Sequence, residues 1–461
     1  MKKIIILMLL LCLCGCSSVI YEKTEGEEEA SSFNLSFKDS DLNSSYSVNG
    51  STYISLSDED IRITRAGTYI LEGEMNDAGI IVDVSKDETV QLVLNNVSIQ
   101  ANDFAAIYIV EADEVIITLA QDSINTLSDK TSYTQIDDNN VDAIIYSKAD
   151  LTLNGSGTLN IDTVNHGLVS KDDLVITEGT YSINASGQGI RGKDCLKISG
   201  GTFNISSVKD ALKSDNSEDE YRGYVYITGG TFVISSQADG IYGYRMVDIE
   251  GGDFTIATSK SSSADSYKGI KSDLLITISG GTMNLDTADD GIHCDGDIYI
   301  ASGDIEIVSK DDGIHADGMV QIDNGNISIT AYEGIEGTYI QINDGTIYIS
   351  ASDDGINAGQ KSNSYTATVE INGGYLTIVM GQGDTDGIDS NGYLYINGGT
   401  VNITGQSPFD YDKEAQYNGG TLIVNGSETT EITNQFAGGM GNMGGFGGGG
   451  GQPGSPGGNR R

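Results

Sequence analysis

The stretch Asp311-Asp312-Gly313-Ile314-His315-Ala316 decides the fold, because close variants of it recur along the chain. One repeat earlier it reads Asp289-Asp290-Gly291-Ile292-His293-Cys294, and one repeat later it reads Tyr332-Glu333-Gly334-Ile335-Glu336-Gly337. The glycines at positions 291, 313, 334 and 355 are 22, 21 and 21 residues apart. Self-similarity at a fixed short period is typical of solenoids, in which each repeat stacks on the next.

A second phrase inside each period predicts how a repeat folds. In Leu196-Lys197-Ile198-Ser199-Gly200-Gly201-Thr202-Phe203-Asn204-Ile205, apolar residues alternate with polar ones on both sides of a Gly-Gly pair. Alternation with period two predicts half-buried strands, and glycine gives the corner its backbone freedom. Strands separated by corners pair with the same strands of the next coil. We therefore predict an all-β, single-domain, right-handed, three-faced parallel β-helix of about a dozen coils.

The rest of the chain is divided by composition. Lys2-Lys3, the apolar run from Ile4 to Leu13 and Leu13-Cys14-Gly15-Cys16 resemble a bacterial lipoprotein signal with Cys16 as the lipidated residue, although a plain signal peptide is an alternative. The predicted segments are a signal over 1–15, an acidic flexible tether over 16–45, an N-terminal β cap over 46–100, the β-helix over 101–430 and a Gly-rich disordered tail over 431–461. The expected location is the extracellular face of the bacterial cell membrane, with the lipid as the only membrane contact.

Charge limits the partners. The formal net charge is −42, from 67 Asp+Glu against 25 Lys+Arg, and no long basic run is present. This balance argues against nucleic acid, whose phosphates need a basic surface. An anionic partner would need a bridging cation. The two cysteines of the repeat region, Cys195 and Cys294, are about four coils apart in sequence, which predicts free thiols in a monomer.

Stacked carboxylates suggest a metal. Equal positions in successive coils form surface columns, and like charges about 5 Å apart cost about 3 kcal/mol per pair at an effective dielectric of 20. Calcium would offset this cost, since it takes six to eight oxygen ligands. The alternative is that Asp-Asp-Gly only supplies turn chemistry. The calcium candidates are Asp289, Asp290, Asp311, Asp312, Glu333, Glu336, Asp353, Asp354, Asp386 and Asp389.

The column two residues after each anchor glycine supplies the candidate ligand contacts, which are Arg191, Lys213, Tyr242, Lys271, His293 and His315. The two histidines could bind a transition metal or a sugar carboxylate, but two stacked imidazoles are too few ligands for zinc, and chance duplication of the repeat is the favoured interpretation. Lys213 or Lys271 beside calcium could act as the base of a polysaccharide lyase. Ordinary salt bridging is the favoured interpretation of these lysines.

The residues resemble a known family of bacterial cell-surface β-helix proteins, the carbohydrate-binding domain-containing proteins. The resemblance covers about residues 46–430. It rests on Val90-Gln91-Leu92-Val93-Leu94-Asn95-Asn96-Val97, Ala106-Ile107-Tyr108, Ile116-Ile117-Thr118-Leu119, Gly192-Lys193-Asp194, Asp311-Asp312-Gly313-Ile314-His315-Ala316-Asp317-Gly318, Tyr332-Glu333-Gly334-Ile335-Glu336-Gly337 and Asp353-Asp354-Gly355-Ile356-Asn357-Ala358. It implies a pectate-lyase-like fold, calcium at the acidic columns and an acidic sugar as ligand.

These observations together predict a non-catalytic, calcium-dependent surface protein that binds an acidic polysaccharide such as polygalacturonate or pectin. A calcium-dependent lyase and a structural adhesin remain as alternatives.

Overall fold

A computed structural model of the protein describes residues 32–260, 266–381 and 385–434. The predicted signal over 1–15, the lipidation site Cys16 and nearly all of the predicted tail lie outside these residues. The chain divides into two compact units, Met1–Asn34 and Leu35–Arg461. All strands and the single short helix of the described residues, α1 (Asp39–Leu42), belong to the second unit. Within the described residues, no helix has the length and apolarity that a bilayer crossing requires.

The strands stack in three columns, which we call faces 1, 2 and 3. Face 1 is a 15-stranded parallel sheet. It comprises β2 (Ile61–Ile63), β4 (Ile80–Asp83), β6 (Ile107–Glu111), β9 (Ala143–Ser147), β12 (His166–Ser170), β15 (Ile190–Gly192), β18 (Leu212–Ser214), β21 (Ile241–Gly243), β24 (Ile270–Ser272), β27 (Ile292–Cys294), β30 (Ile314–Ala316), β33 (Ile335–Gly337), β36 (Ile356–Ala358), β39 (Asp386–Ser390) and β42 (Ser407–Tyr411).

Face 2 follows face 1 in each coil. It comprises β1 (Thr52–Ser55), the first halves of β3 (Gly67–Asn76) and β5 (Thr89–Gln100), then β7 (Glu114–Leu119), β10 (Asp150–Asn154), β13 (Asp173–Ile176), β16 (Cys195–Ile198), β19 (Tyr224–Ile227), β22 (Met246–Ile249), β25 (Leu275–Ile278), β28 (Asp297–Ile300), β31 (Met319–Ile322), β34 (Tyr339–Ile342), β37 (Thr368–Ile371), β40 (Tyr393–Ile396) and β43 (Glu414–Tyr417).

Face 3 completes the coil. It comprises the second halves of β3 and β5, then β8 (Ile124–Ser128), β11 (Thr158–Thr163), β14 (Thr180–Ala185), β17 (Thr202–Ser207), β20 (Thr231–Ser236), β23 (Asp253–Thr258), β26 (Thr282–Asp286), β29 (Asp304–Val308), β32 (Asn326–Ala331), β35 (Thr346–Ala351), β38 (Tyr375–Met380), β41 (Thr400–Thr404) and β44 (Thr421–Val424), closed by the antiparallel β45 (Ser427–Thr429).

The parallel β-helix predicted from the repeat is confirmed, with three strands per coil and strict register. On face 1, Ile292 pairs with Ile314 and His293 with His315, and the same alignment continues coil by coil. Because every coil repeats the inward and outward positions of the one before, each column of the sequence becomes a physical column.

Buried ladders hold the coils together. Ile292, Ile314 and Ile335 are fully buried on the inner side of face 1. On face 3, Phe203, Phe232 and Phe254 stack with ring centroids 4.8 and 4.7 Å apart and nearly parallel planes. The apolar alternation of the sequence is thus satisfied by contact with the same residue type one coil away.

The anchor glycines are required by the closeness of neighbouring coils. A Cβ on Gly313 would lie 2.6 Å from the carbonyl oxygen of Gly334 and 2.3 Å from a methyl carbon of Ile329. Gly230, the second glycine of a Gly-Gly-Thr turn, has φ +117°, a backbone conformation that favours glycine.

The coils begin earlier than the sequence indicates. The predicted boundary placed a cap over residues 46–100, but β1, β3 and β5 already pair in parallel, as do β2 and β4. These coils lack the Asp-Asp-Gly phrase, so the repeat search missed them. The coil stack therefore starts at Thr52.

The end of the predicted tether packs on face 2. Asp41 is buried and accepts a hydrogen bond from Thr152 at 3.1 Å, while Lys197 donates to the carbonyl oxygen of Ser36 at 2.7 Å. The ring of Phe37 stacks on Tyr226 at 5.9 Å. Residues 36–41 thus cross several coils as an ordered segment, contrary to the predicted flexible tether over this part, because specific polar partners on face 2 hold a sequence that looks merely acidic.

Cys195 and Cys294 are buried free thiols, as predicted. They occupy different faces and different coils, so they cannot approach one another.

Phe232→Ala should lower the free energy of unfolding by about 3–5 kcal/mol, because it opens a cavity in the middle of the phenylalanine stack. The adjacent Val233 points outward and is 50% exposed, which makes Val233→Ala the matched control. Chemical denaturation of both variants checks this. Equal losses in the two variants would contradict the assigned inward and outward positions.

Candidate functional site

The outward residues of face 1 form one continuous column, which we call the central column. Its members from β15 to β42 are Arg191, Lys213, Tyr242, Lys271, His293, His315, Glu336, Asn357, Asp389 and Asp410. The structure therefore aligns all six of the predicted ligand contacts in one column. Basic residues lie toward the N-terminal coils, histidines in the middle and carboxylates toward the C-terminal coils.

In the coils before Arg191, the outward side of face 1 is covered and is not exposed as a charged surface. There the outward positions are apolar, and Tyr108, Tyr146 and Val169 form a separate buried cluster. Residues of the long connection between β8 and β9 cover it, and Asn139 makes hydrogen bonds with the hydroxyls of both tyrosines. The charged part of the column thus begins where this cover ends.

At the basic end, each cation already has a carboxylate or an aromatic ring beside it. Arg191 donates from Nε and Nη2 to Asp215 at 3.0 and 2.8 Å. Lys213 lies 2.7 Å from Asp210. The ammonium groups of Lys213 and Lys271 lie 4.9 and 5.3 Å from the ring centroid of Tyr242. The salt bridge of Lys213 is the structural role that the sequence analysis preferred over catalysis.

A second column, directly before the anchor glycines, links the coils. The Asp312 N–H donates to Asp290 Oδ1 at 3.1 Å, and the Asp386 N–H donates to Asp354 Oδ1 at 3.0 Å. In each pair, the accepting aspartate therefore uses one carboxylate oxygen to bind the backbone of the next coil. Turn chemistry explains part of the Asp-Asp-Gly phrase, and only the second oxygen of these side chains remains for other work.

Lysine neutralises the first group of predicted metal ligands. Lys268 Nζ lies 3.1 Å from Asp289 Oδ2 and 2.8 Å from Asp290 Oδ2. Burial acts to raise the pKa of Asp290, but hydrogen bonds from His293 and Lys268 outweigh it and hold that pKa well below its usual range. Sequence reasoning missed this partner, although Lys268 stands at the position before an anchor glycine, one coil from Asp290.

Each of the two histidines lies within hydrogen-bond distance of a carboxylate and is largely buried. His293 Nδ1 is 2.7 Å from Asp290 Oδ2, and His315 Nδ1 is 2.8 Å from Asp312 Oδ2. Burial acts to lower the pKa of His315, but Asp312 and Glu336 outweigh it, so the pKa is raised. The imidazoles thus share the carboxylates that the sequence had assigned to calcium.

A second lysine missed by sequence reasoning reaches this group from an insertion. Lys361 belongs to the connection between β36 and β37, and its Nζ lies 2.6 Å from Glu336 Oε2 and 3.4 Å from His315 Nε2. Nothing in the repeat points to it, because insertions carry no column position. The only indication in the sequence is the positive charge of Lys361 in a part of the chain where acidic residues predominate.

The carboxylates at the C-terminal end of the charged columns have no such help. Burial, as the largest cause, raises the pKa of Glu333 to about 7, of Asp354 to about 6 and of Asp389 to about 7, and neighbouring carboxylates add to it. No Lys, Arg or His of the described residues forms an ion pair with these three. We call Glu333, Asp354 and Asp389 the acidic end.

Nine of the ten predicted metal ligands fall into two groups, and the tenth, Asp311, has a carboxylate oxygen within 4.8 Å of those of Asp289 and Asp290. Asp289, Asp290, Asp312 and Glu336 are within 4 Å of a lysine or histidine nitrogen, although burial, as the largest cause, still raises the pKa of Asp312 to about 6. Glu333, Asp354 and Asp389 are half-buried oxygen donors that repel one another, and Asp353 and Asp386 lie beside them in sequence. This second group has the donor chemistry that suits a hard cation such as calcium.

Insertions border the site on both edges. Residues 215–223, between β18 and β19, and residues 359–367, between β36 and β37, lie at the corner from face 1 to face 2. The insertion after β23 instead precedes β24, at the corner from face 3 to face 1.

Comparison with known proteins identifies the family of this chain. The family model for carbohydrate-binding domain-containing proteins matches residues 57–313 and 308–437. The chain belongs to this family. A carbohydrate-binding domain-containing protein of Acetivibrio thermocellus is 39% identical over 127 residues, which are 27% of this chain and 44% of the relative. The chain thus spans less than half the length of that relative.

A solved structure is also similar. It is that of a polysaccharide lyase-like protein from C. thermocellum in its gadolinium derivative, at 30% identity and a TM-score of 0.43. The similarity covers 55% of this carbohydrate-binding domain-containing protein and 97% of the solved chain. The family assignment supports a carbohydrate-binding role.

The acidic end should make stability depend on pH. A carboxyl group with a raised pKa binds its proton more tightly in the folded than in the unfolded protein, so its stabilising contribution is complete below the unfolded pKa and is lost as the pH rises through the folded pKa. For Asp389 that window runs from about 4 to about 7.

Asp389→Asn should therefore flatten the fall in melting temperature between pH 4 and 7 relative to the unaltered protein, in buffers without divalent cations. Asp253→Asn, which removes an exposed carboxylate from face 3, is the control. A pH profile that Asp389→Asn leaves unchanged would show that the three carboxylates do not share the burial described above.

Proposed function

We propose that face 1 binds an acidic polysaccharide of the polygalacturonate or pectin class, without cleaving it, through calcium held at the acidic end. The observation that carries this proposal is the group of half-buried carboxylates with raised pKa values and no basic partner among the described residues. The protein would display this face from the outer surface of the bacterial cell membrane, with Cys16 as the lipidated residue.

Calcium supports the proposal through charge. Ionising Glu333, Asp354 and Asp389 together is unfavourable, and a hard divalent cation offsets that cost with the oxygen ligands it prefers. A cation shared between these carboxylates and a uronate would also allow a protein of net charge −42 to hold an anionic chain. Lys and Arg at the other end of the central column offer a direct contact for further uronates.

The length of the central column suits a polymer. Coils repeat at about 4.8 Å, so the column from Arg191 to Asp410 presents side chains at that spacing over several coils. Insertions border it on both edges. An extended chain lying along this column would meet cationic groups first and the acidic end last.

The lyase alternative has less support. A catalytic base must reach the substrate proton as a neutral amine. Lys213 instead bridges Asp210 at 2.7 Å and Asp215 at 3.9 Å, and it lies over the ring of Tyr242. These contacts favour binding over proton transfer. Unsaturated uronide released from polygalacturonate, followed by ultraviolet absorbance, would reverse this preference.

Calcium should raise the melting temperature of the protein, and polygalacturonate should raise it further only when calcium is present, because ligands that bind only the folded state stabilise it. Excess EDTA should remove both increments. The triple variant Glu333→Gln/Asp354→Asn/Asp389→Asn should be insensitive to calcium and should lose retention on immobilised polygalacturonate.

The matched control removes the same number of charges from face 3. Asp253→Asn/Asp304→Asn/Glu306→Gln lies on exposed positions and should keep the calcium response. Loss of the response in both triple variants would show a nonspecific charge effect. Absence of any calcium shift in the unaltered protein would remove the basis of the proposal.

A further inference from the structure

His293 and His315 form a second cluster that the carbohydrate proposal does not use. They are paired residues of β27 and β30, and their ring centroids lie 4.6 Å apart. Both side chains are largely buried, at 13% exposure.

The Nδ1 atoms of both rings face the carboxylate of Asp290, and that of His315 also faces Asp312 and Glu336. Asp290 Oδ2 lies 2.7 Å from His293 Nδ1 and 3.9 Å from His315 Nδ1. Asp312 Oδ2 lies 2.8 Å from His315 Nδ1, and Glu336 Oε2 lies 3.2 Å from it. One ligand atom each of Asp290, His293 and His315 fits within 4.8 Å, and the same holds for Asp312, His315 and Glu336.

These separations are near the ligand spacing of a zinc site. Zinc binds imidazole nitrogen and carboxylate oxygen at about 2.0–2.2 Å, which places neighbouring ligands of a tetrahedral site about 3.3 Å apart. The observed distances of 2.7 and 2.8 Å are hydrogen-bond lengths below that value, and the distance of 3.9 Å lies above it.

The outer nitrogens are already oriented. His293 Nε2 lies 2.9 Å from Asp295 Oδ1, and His315 Nε2 lies 3.4 Å from Asp317 Oδ1. A carboxylate that accepts the Nε2 proton fixes the tautomer whose Nδ1 lone pair is free, and histidine ligands of metals commonly have this partner. Asp295 and Asp317 thus lie on the Nε2 side of the rings, away from the shared Asp290 carboxylate.

We propose that His293 and His315, with Asp290 and Asp312, form a binding site for one borderline transition-metal ion of the Zn²⁺ class, separate from the calcium group. The metal would bind the Nδ1 atom of each ring in its neutral form, as ligand imidazoles must be neutral.

Two lysines set the affinity of this site. Lys268 Nζ lies 2.8 Å from Asp290 Oδ2, and Lys361 Nζ lies 2.6 Å from Glu336 Oε2. Each ammonium stabilises the carboxylates when no metal is bound and repels a divalent cation when one arrives. Removing Lys268 should therefore tighten metal binding while weakening the metal-free protein.

Metal type separates this site from the proposed function. Imidazole suits zinc, copper or nickel, whereas calcium takes oxygen ligands only. Zinc binding that persists in excess calcium and is lost in the histidine variants therefore reports on the histidine cluster. The two proposals can fail independently.

The experiment is calorimetric titration of Zn²⁺ into the untagged full chain with calcium in large excess. One zinc per chain is expected. His293→Asn and His315→Asn should each lose this binding, and Asp295→Asn should weaken it by about tenfold or more, as expected for a residue behind a ligand. Lys268→Met should bind zinc more tightly than the unaltered protein.

The matched control is His166→Asn. This third histidine lies on β12 and accepts a hydrogen bond from the Gln188 N–H at 2.7 Å, outside the cluster. It should leave the zinc isotherm unchanged. Zinc affinity that is equal in the unaltered protein and in His293→Asn/His315→Asn, or that Lys268→Met does not tighten, would overturn the proposal.

Discussion

Parallel hydrogen bonding between successive coils is the constraint on which the rest of the structure depends. It fixes equal positions of the repeat at one strand spacing, about 4.8 Å, from one coil to the next. The inner ladders, such as Ile292, Ile314 and Ile335, gain stability from that spacing. Any charged residue kept in the repeat must face its own copy. The inner side of the helix is therefore stabilised by repetition, and its outer side is strained by it.

The outer side of face 1 shows how that strain is handled. Asp290 accepts a backbone hydrogen bond from the next coil with one oxygen and presents the other to Lys268 and His293, while Asp312 faces His315. Departures from the repeat supply these partners, with Lys268 in place of an Asp and Lys361 from an insertion. Where such departures are lacking, at Glu333, Asp354 and Asp389, pKa values rise. The proposed calcium group therefore lies where the fold supplies no lysine or histidine partner among the described residues.

Face 1 is therefore three neighbouring environments on one scaffold. The basic end pairs its cations with carboxylates and with Tyr242, the middle holds stacked imidazoles, and the acidic end gathers carboxylates alone. A rigid stack keeps these environments at fixed separation along the column. The proposed acidic polysaccharide would contact all three environments, and the chain belongs to a family described by carbohydrate binding.

The sequence by itself determined the β-helix, the columns and their order of charge, because period-two alternation and a 21–22-residue repeat leave few other ways to bury the apolar residues. It did not reveal the earliest coils, which lack the Asp-Asp-Gly phrase, or the packing of Asp41 on face 2. Only the tertiary structure decided which carboxylates share a cation, since Lys268 and Lys361 reach Asp290 and Glu336 from other coils. Such pairings depend on the direction in which a long side chain extends toward a neighbouring coil. The repeat pattern of the sequence gives the position of a residue in a column but not that direction.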